Sequence, residues 1–233
     1  MKKADLIFIL IVVLIIGPFV ISDDMYRIYL EMTASHAYGM AFIKFAVIAT
    51  LGEMLGLRIK SGRYCYKGFG VAPRALVWGV FGVVIAGAMK VFSTGVPVML
   101  ESFGVEGAVE AMHGDFTCQK LFSAFCISLV MNTFFAPVFM NMHKITDTHI
   151  INYGGNIEAL AHAIPMAHIM EDLNWKVQWN FVFKKTIPLF WFPAHTITFL
   201  LPASMQVLFA ALLSIFLGVL LSVAAVLSRQ KEN

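Results

Sequence analysis

Six apolar runs, near residues 6–21, 37–57, 75–92, 121–140, 186–201 and 205–227, dominate the chain and leave little room for a water-soluble fold. A membrane-spanning helix needs about 17 to 25 such residues at about 1.5 Å each. The first and fifth runs, of 16 residues, are short, rising about 24 Å against a hydrocarbon core of about 30 Å. The chain is 59% hydrophobic and 13% charged, with a mean hydropathy of +0.79, whereas soluble domains hold about 45 to 50% apolar residues. The expected fold class is all-α: a polytopic membrane helix bundle with about six transmembrane helices.

Charge sets the expected orientation. With both termini cytoplasmic, the inner segments hold Lys2, Lys3, Arg58, Lys60, Arg63, Lys67, Arg74, Lys144, Lys176, Lys184, Lys185, Arg229 and Lys231, and the outer loops 22–36 and 93–118 hold only Arg27. Such a bias is the positive-inside signal of a plasma (inner) membrane protein; an organelle membrane is the alternative. The net charge of +3 therefore reads as an orientation signal and not as a nucleic-acid surface. Lys2 and Lys3 before an apolar stretch resemble a signal peptide, but "GPFVISDD" lacks an A-x-A-like cleavage site, so the first helix is expected to be retained.

The connections differ in character. The inner loop 58–74, "RIKSGRYCYKGFGVAPR", is basic and aromatic and suits anionic headgroups, although the positive-inside signal accounts for it more simply. The outer segment 93–118, with Glu101, Glu106 and Glu110, reads as a short surface helix. The inner segment 141–174 reads as a polar, solvent-facing loop. It carries His143, Asp147 and His149 at i, i+4 and i+6, and no recognised metal motif, so no metal ligand is expected. Cys65, Cys118 and Cys126 read as free thiols. No phosphate loop, nucleophile elbow or H-E-x-x-H motif occurs; no catalytic residue, enzyme activity or cofactor is expected.

Inside lipid, helices approach closely where small residues line one face. Gly52 and Gly56 do so in the second run, Ala75 with Gly79 and Gly82 with Ala86 in the third, and Ala210, Ser214, Gly218 and Ser222 in the sixth. These are either seams of one bundle or contacts of a homo-oligomer. Ionisable and amide groups at membrane depth are costly and mark candidate pore or cavity positions. Lys44 and Glu53 lie nine residues apart and at about 100° per residue point to opposite faces. Lys44 is the cavity candidate, and Glu53, near the inner end, is expected to meet Arg58. Asn132, with Ser128 one turn earlier, needs partners within the bundle. His195 and Thr198 follow Pro193, whose ring frees a carbonyl that either lines a polar cavity or is satisfied by neighbouring groups.

Several motifs in the last four runs occur in a characteristic order. "MNTFFAPVFM" is similar to D-Q-x-x-x-A-P, "NWKV" to N-W-x-V-W, and "PASMQVLFAALLSIFLGVLLS" to P-x-x-x-R-V-L-F with a terminal L-S. In this order they resemble the Mpv-seventeen / 22-kDa peroxisomal membrane protein family, over roughly 74–222. Met131 and Asn132 stand where the family has Asp-Gln, Gln206 where it has Arg, and Leu217 and Gly218 where it has Trp-Asn. The chain is thus identified as a divergent, bacterial-type member with two added N-terminal helices. The division is 1–73 for those helices and the basic loop, 74–228 for the family-like domain and 229–233 for a tail. The resemblance implies a helix bundle forming a weakly selective channel for small solutes, with Pro137, Trp175, Pro202 and Gln206 as further motif positions. The expected function is such a channel, with the lipid bilayer and small solutes as its partners; the alternative is a non-conducting scaffold.

Overall fold

The computed structural model describes residues 3–231, with side chains to residue 223 except 221. Every regular element is helical, and no strand occurs among the described residues. Five helices are long and apolar enough to cross a membrane: Lys3–Ile21, Ala37–Ser61, Val71–Ser102, Cys118–Asn152 and, within the last helix, Ala203–Leu220. They realise five of the six apolar runs.

The first run forms α1 (Lys3–Ile21), none of whose residues is buried. Ser22 then caps α2 (Asp23–Ser35), its hydroxyl accepting from the Met25 amide at 3.3 Å. Helix α3 (Ala37–Ser61) ends on Gly62, whose φ of 77° closes the helix in the left-handed conformation. After the basic loop come α4 (Val71–Ser102), the short α5 (Ala108–His113) and α6 (Cys118–Asn152). Thr117 caps α6 by accepting from the Lys120 amide at 3.1 Å. A 3-10 turn (Ile157–Ala161), α7 (Met166–Glu171) and α8 (Trp175–Val177) lead to a π-helix (Gln178–Trp191), then α9 (Phe192–Leu200) and α10 (Ala203–Lys231). Residues 232 and 233 of the expected tail lie outside the described residues.

Three local expectations change. The segment 141–174 is not one loop, because α6 continues to Asn152. Its buried residues Ile145, Thr146, His149 and Ile150 recur three to four apart, the spacing of one helix face. At the opposite end, α4 absorbs residues 93–102, so the separate surface helix shrinks to α5. The fifth run is not a single α-helix either. Pro188 lies inside the π-helix, and the Phe192 amide donates to the Ile187 carbonyl, five residues back, before α9 resumes the tighter ladder. A π-helix usually lasts a single turn; this one occupies 14 residues.

Helix α3 packs along both α4 and α10, and the boundary at 73/74 lies inside the first turn of α4. A Cβ added at Gly82 would stand 2.5 Å from the Ala41 carbonyl oxygen, and one at Gly79 2.5 Å from the Phe42 ring. On the other side, a Cβ at Gly52 would meet Ile215 at 2.8 Å, and one at Gly56 the Ser222 hydroxyl at 3.1 Å. These glycines are therefore seams within the chain. Phe45, Ile127 and Phe199, at most 2% exposed, fill the centre of the bundle.

The two ends of the bundle differ in charge. At the basic end lie the start of α1, the 62–70 loop and the end of α6; at the acidic end lie α2 and α5. Helix α1 is tied at the basic end by the Asp5 carboxylate, which accepts from Arg58 at 2.7 and 3.0 Å, and by Phe8 stacked on Tyr64 at 4.4 Å. Arg58 thus pairs with Asp5 and not with Glu53, correcting the expected partner. The loop is fixed to α6 by a close backbone crossing: Gly70 (φ 73°) and Gly155 (φ 74°) approach so nearly that a Cβ on Gly155 would lie 2.6 Å from the Gly70 nitrogen.

Candidate functional site

That crossing positions Arg74. Helix α4 starts immediately after Gly70, and Arg74 in its first turn is 4% exposed. Its Nε donates to the Phe69 carbonyl at 2.6 Å, and the guanidinium lies over the Phe69 ring at 4.4 Å. Its Nη1 donates to Glu53 Oε2 at 2.6 Å and also to Asp147 Oδ1. One cation from α4 therefore bridges carboxylates from α3 and α6.

Glu53 is held from three sides. Its other oxygen, Oε1, accepts from Trp78 Nε1 at 2.9 Å and lies 2.9 Å from His143 Nε2. Trp78 packs against the His143 ring, with centroids 4.6 Å apart, so the indole orients both residues. His143 and Asp147 are one helical turn apart on α6, and that spacing directs both toward α3. The side chains of Glu53, His143 and Asp147 are 18, 29 and 22% exposed. The acids and the imidazole are thus neither sealed in the core nor on an open surface. In hydrocarbon such a group needs partners, and here each finds one across a helix interface.

The exposed side of the cluster faces a cavity of about 640 Å³. Lys60, Tyr66 and Lys144 line it at the basic end, and Asn132, Trp191 and His195 line it deeper in the bundle. From Lys60 to Phe45 along α3 the rise is about 22 Å. The deep end is formed by Phe45, Ile85 and Met131, and no residue of α2 or α5 belongs to the wall. The cavity is a vestibule whose wall ends short of α2 and α5.

Its deep wall contains two polar atoms without a protein partner among the described residues, His195 Nδ1 and Trp191 Nε1. The two rings stack, 5.1 Å apart at 15°, and His195 is only 7% exposed. An unpaired polar group at such a depth is costly, and both atoms are buried, so a partner reaches them only when the rings shift. Asn132 directs Nδ2 to the Ser128 carbonyl at 2.8 Å and to its hydroxyl at 3.2 Å. Ser128 in turn donates to the Phe192 carbonyl at 2.7 Å, and Thr196 donates to the same oxygen at 2.7 Å. The Phe192 carbonyl beside Pro193 thus accepts from two hydroxyls.

Of the residues singled out in the sequence, Glu53, Asn132 and His195 share the cavity. Lys44 and Thr198 do not line it. Lys44, 4% exposed, turns toward α2, where Nζ donates to Thr33 Oγ1 at 3.1 Å and sits 4.7 Å from the Tyr29 ring centre. Thr198 is fully buried and donates to the Ala194 carbonyl at 3.0 Å. Among the motif positions, Gln206 donates to the Leu201 carbonyl at 3.0 Å, Trp175 donates to the Met170 carbonyl at 2.9 Å, Pro137 lies within α6 and Pro202 precedes α10. The sequence reading missed Arg74, His143 and Asp147 as a unit. The available signal was the four-residue step from His143 to Asp147, a helix-face spacing that a loop assignment hides.

Fold and site together define an all-helical protein, with five helices able to cross a membrane and a mixed ion cluster facing an internal vestibule. Comparison of the chain with family models, curated proteins and solved structures returns no match.

Proposed function

We propose that this protein is a weakly selective conduit for small polar solutes, with the vestibule as its entrance. The observation that carries the reading is the unpaired pair His195 Nδ1 and Trp191 Nε1 in the deep wall of a cavity whose mouth is charged. A solute arriving there meets, once the rings shift, the indole N–H as a donor and the imidazole nitrogen as a donor or acceptor. Phe45, Ile85 and Met131 then act as the closed gate toward the acidic end. The finer topology belongs to the same proposal: six spans, the sixth being the π-helix with α9, in the plasma membrane with both termini cytoplasmic. The vestibule then opens to the cytoplasm, and the basic loop lies among anionic headgroups. On the motifs around Asn132 and Pro202, the reading makes the chain a divergent relative of the Mpv-seventeen family.

One observation favours the scaffold reading: both oxygens of Glu53 and one of Asp147 are already bonded, as in a network that only ties helices together. Proteoliposomes decide between them. Stopped-flow light scattering with small polyols and amides is expected to show faster solute entry than in empty liposomes. The variant Ile85→Ala/Met131→Ala, which thins the gate, is expected to raise the rate several-fold. Entry no faster than in empty liposomes for both folded proteins refutes conduction.

A further inference from the structure

The cluster at the basic end has a property that the conduit reading does not use. We propose that Glu53, His143 and Asp147 form a binding site for a divalent first-row transition metal ion, of the class Mn(II), Fe(II) or Zn(II).

Each of the three residues offers one ligand atom, and these atoms lie within 4.8 Å of one another. Two ligands held about 2.1 Å from one ion stand about 3.0 to 3.4 Å apart when they subtend 90 to 110°. The His143 Nε2 to Glu53 Oε1 distance of 2.9 Å is already close to that, and the Asp147 carboxylate, within 4.8 Å of both, would move inward as the third ligand. The donor set is two carboxylate oxygens and one imidazole nitrogen. It is too hard for Cu(I) and, with its nitrogen, departs from the all-oxygen preference of Ca²⁺ and Mg²⁺. Three protein ligands leave coordination positions free, as in metal sites that bind an exogenous group.

Arg74 does not occupy this site. It bonds Glu53 through Oε2 and Asp147 through Oδ1, so an ion would take Oδ2 and, in place of the His143 contact, Oε1. Among the described residues no hydrogen bond reaches Asp147 Oδ2, whereas Trp78 donates to Glu53 Oε1. The guanidinium and the indole thus hold the carboxylates in the way outer-shell partners orient metal ligands. All three ligands line the same cavity, which supplies both an entry path from the basic end and space for a further ligand. The two carboxylates offset the charge of the ion. The positive charge of Arg74 favours an anion, such as hydroxide or a substrate carboxylate, in a free position.

The test uses the full-length protein in nanodiscs and needs no transport assay, so its result is independent of conduction. After chelator treatment and reloading, Mn(II), Co(II) and Zn(II) are titrated and the bound metal is measured by elemental analysis. About one ion per chain is expected. His143→Ala and Asp147→Asn are expected to weaken binding at least tenfold, and Gly87→Ala, on α4 where an added Cβ meets nothing within 4 Å, to leave it unchanged. No stoichiometric binding by the wild type, or equal binding by folded ligand variants, overturns the proposal. Where both ligand variants fail to fold, pulsed EPR of the wild type loaded with Mn(II) decides: a directly bonded imidazole nitrogen supports the site, and its absence overturns it.

Discussion

Replacing Arg74 by methionine removes the one cation that joins α3, α4 and α6, while keeping a chain of similar length in place. The substitution leaves Glu53 and Asp147 facing each other across a space with His143 as the remaining basic group, and it strips the Phe69 carbonyl of its donor. Breaking a buried ion pair from one side costs about 3 to 5 kcal/mol, because the surviving charge is stranded away from water. The carboxylates keep 18 and 22% exposure, so water relieves part of that, and the expected loss is near the lower figure, about 3 kcal/mol. Adding Glu53→Gln removes one of the stranded charges. The double variant is therefore expected to be more stable than the sum of the two single losses by at least about 1 kcal/mol. Reversible unfolding in mixed micelles, followed by tryptophan fluorescence, measures these values, and Trp78 on Glu53 makes the signal local. A loss below about 1 kcal/mol for Arg74→Met, or simple additivity with Glu53→Gln, refutes the assignment of Arg74 as the bridging charge.

Two further substitutions test the seams and the lysine. Gly82→Ala drives a methyl group into the Ala41 carbonyl and Phe45, whereas a Cβ at Gly87 meets nothing within 4 Å. Overpacking at the first site is expected to cost about 1 to 3 kcal/mol, and Gly87→Ala is expected to leave stability unchanged or slightly raised in the same unfolding assay. Equal effects at the two positions contradict the α3–α4 seam. Lys44→Met keeps the length of a side chain whose bonds are to Thr33 and the Tyr29 ring, outside the vestibule. Solute entry in proteoliposomes is expected to change less than twofold; a large change places Lys44 on the path.

The scaffold was largely readable in the sequence because its signals are local. Apolar runs of membrane length became helices, the small residues of the third run pack α4 on α3, and those of the second run pack α3 on α10. Lys44 and Glu53, assigned to opposite faces by the helical period, bond on different sides of α3. The π-helix was not readable, since a ladder widened by one residue shifts the period on which the inference depends. The length of α6 is not readable because polar residues follow the fourth run, although Ile145 and Ile150 continue its buried face.

The site was hidden for a different reason, visible in Arg74. As a sequence feature it is one of thirteen inner basic residues, and its position near a helix start accounts for it completely as an orientation signal. Its partners stand 21 and 73 residues away, and His143 meets Glu53 across 90. No local pattern encodes which of many inner cations will be drawn beneath the surface. That selection is made by the Gly70–Gly155 crossing, where two backbones without side chains bring the start of α4 against the end of α6. Those same glycines read, in sequence, as ordinary turn residues. The chemistry of the cluster therefore depends on a contact between two loops. A bulkier residue at Gly155 is expected to disperse the cluster while leaving the apolar helices in place.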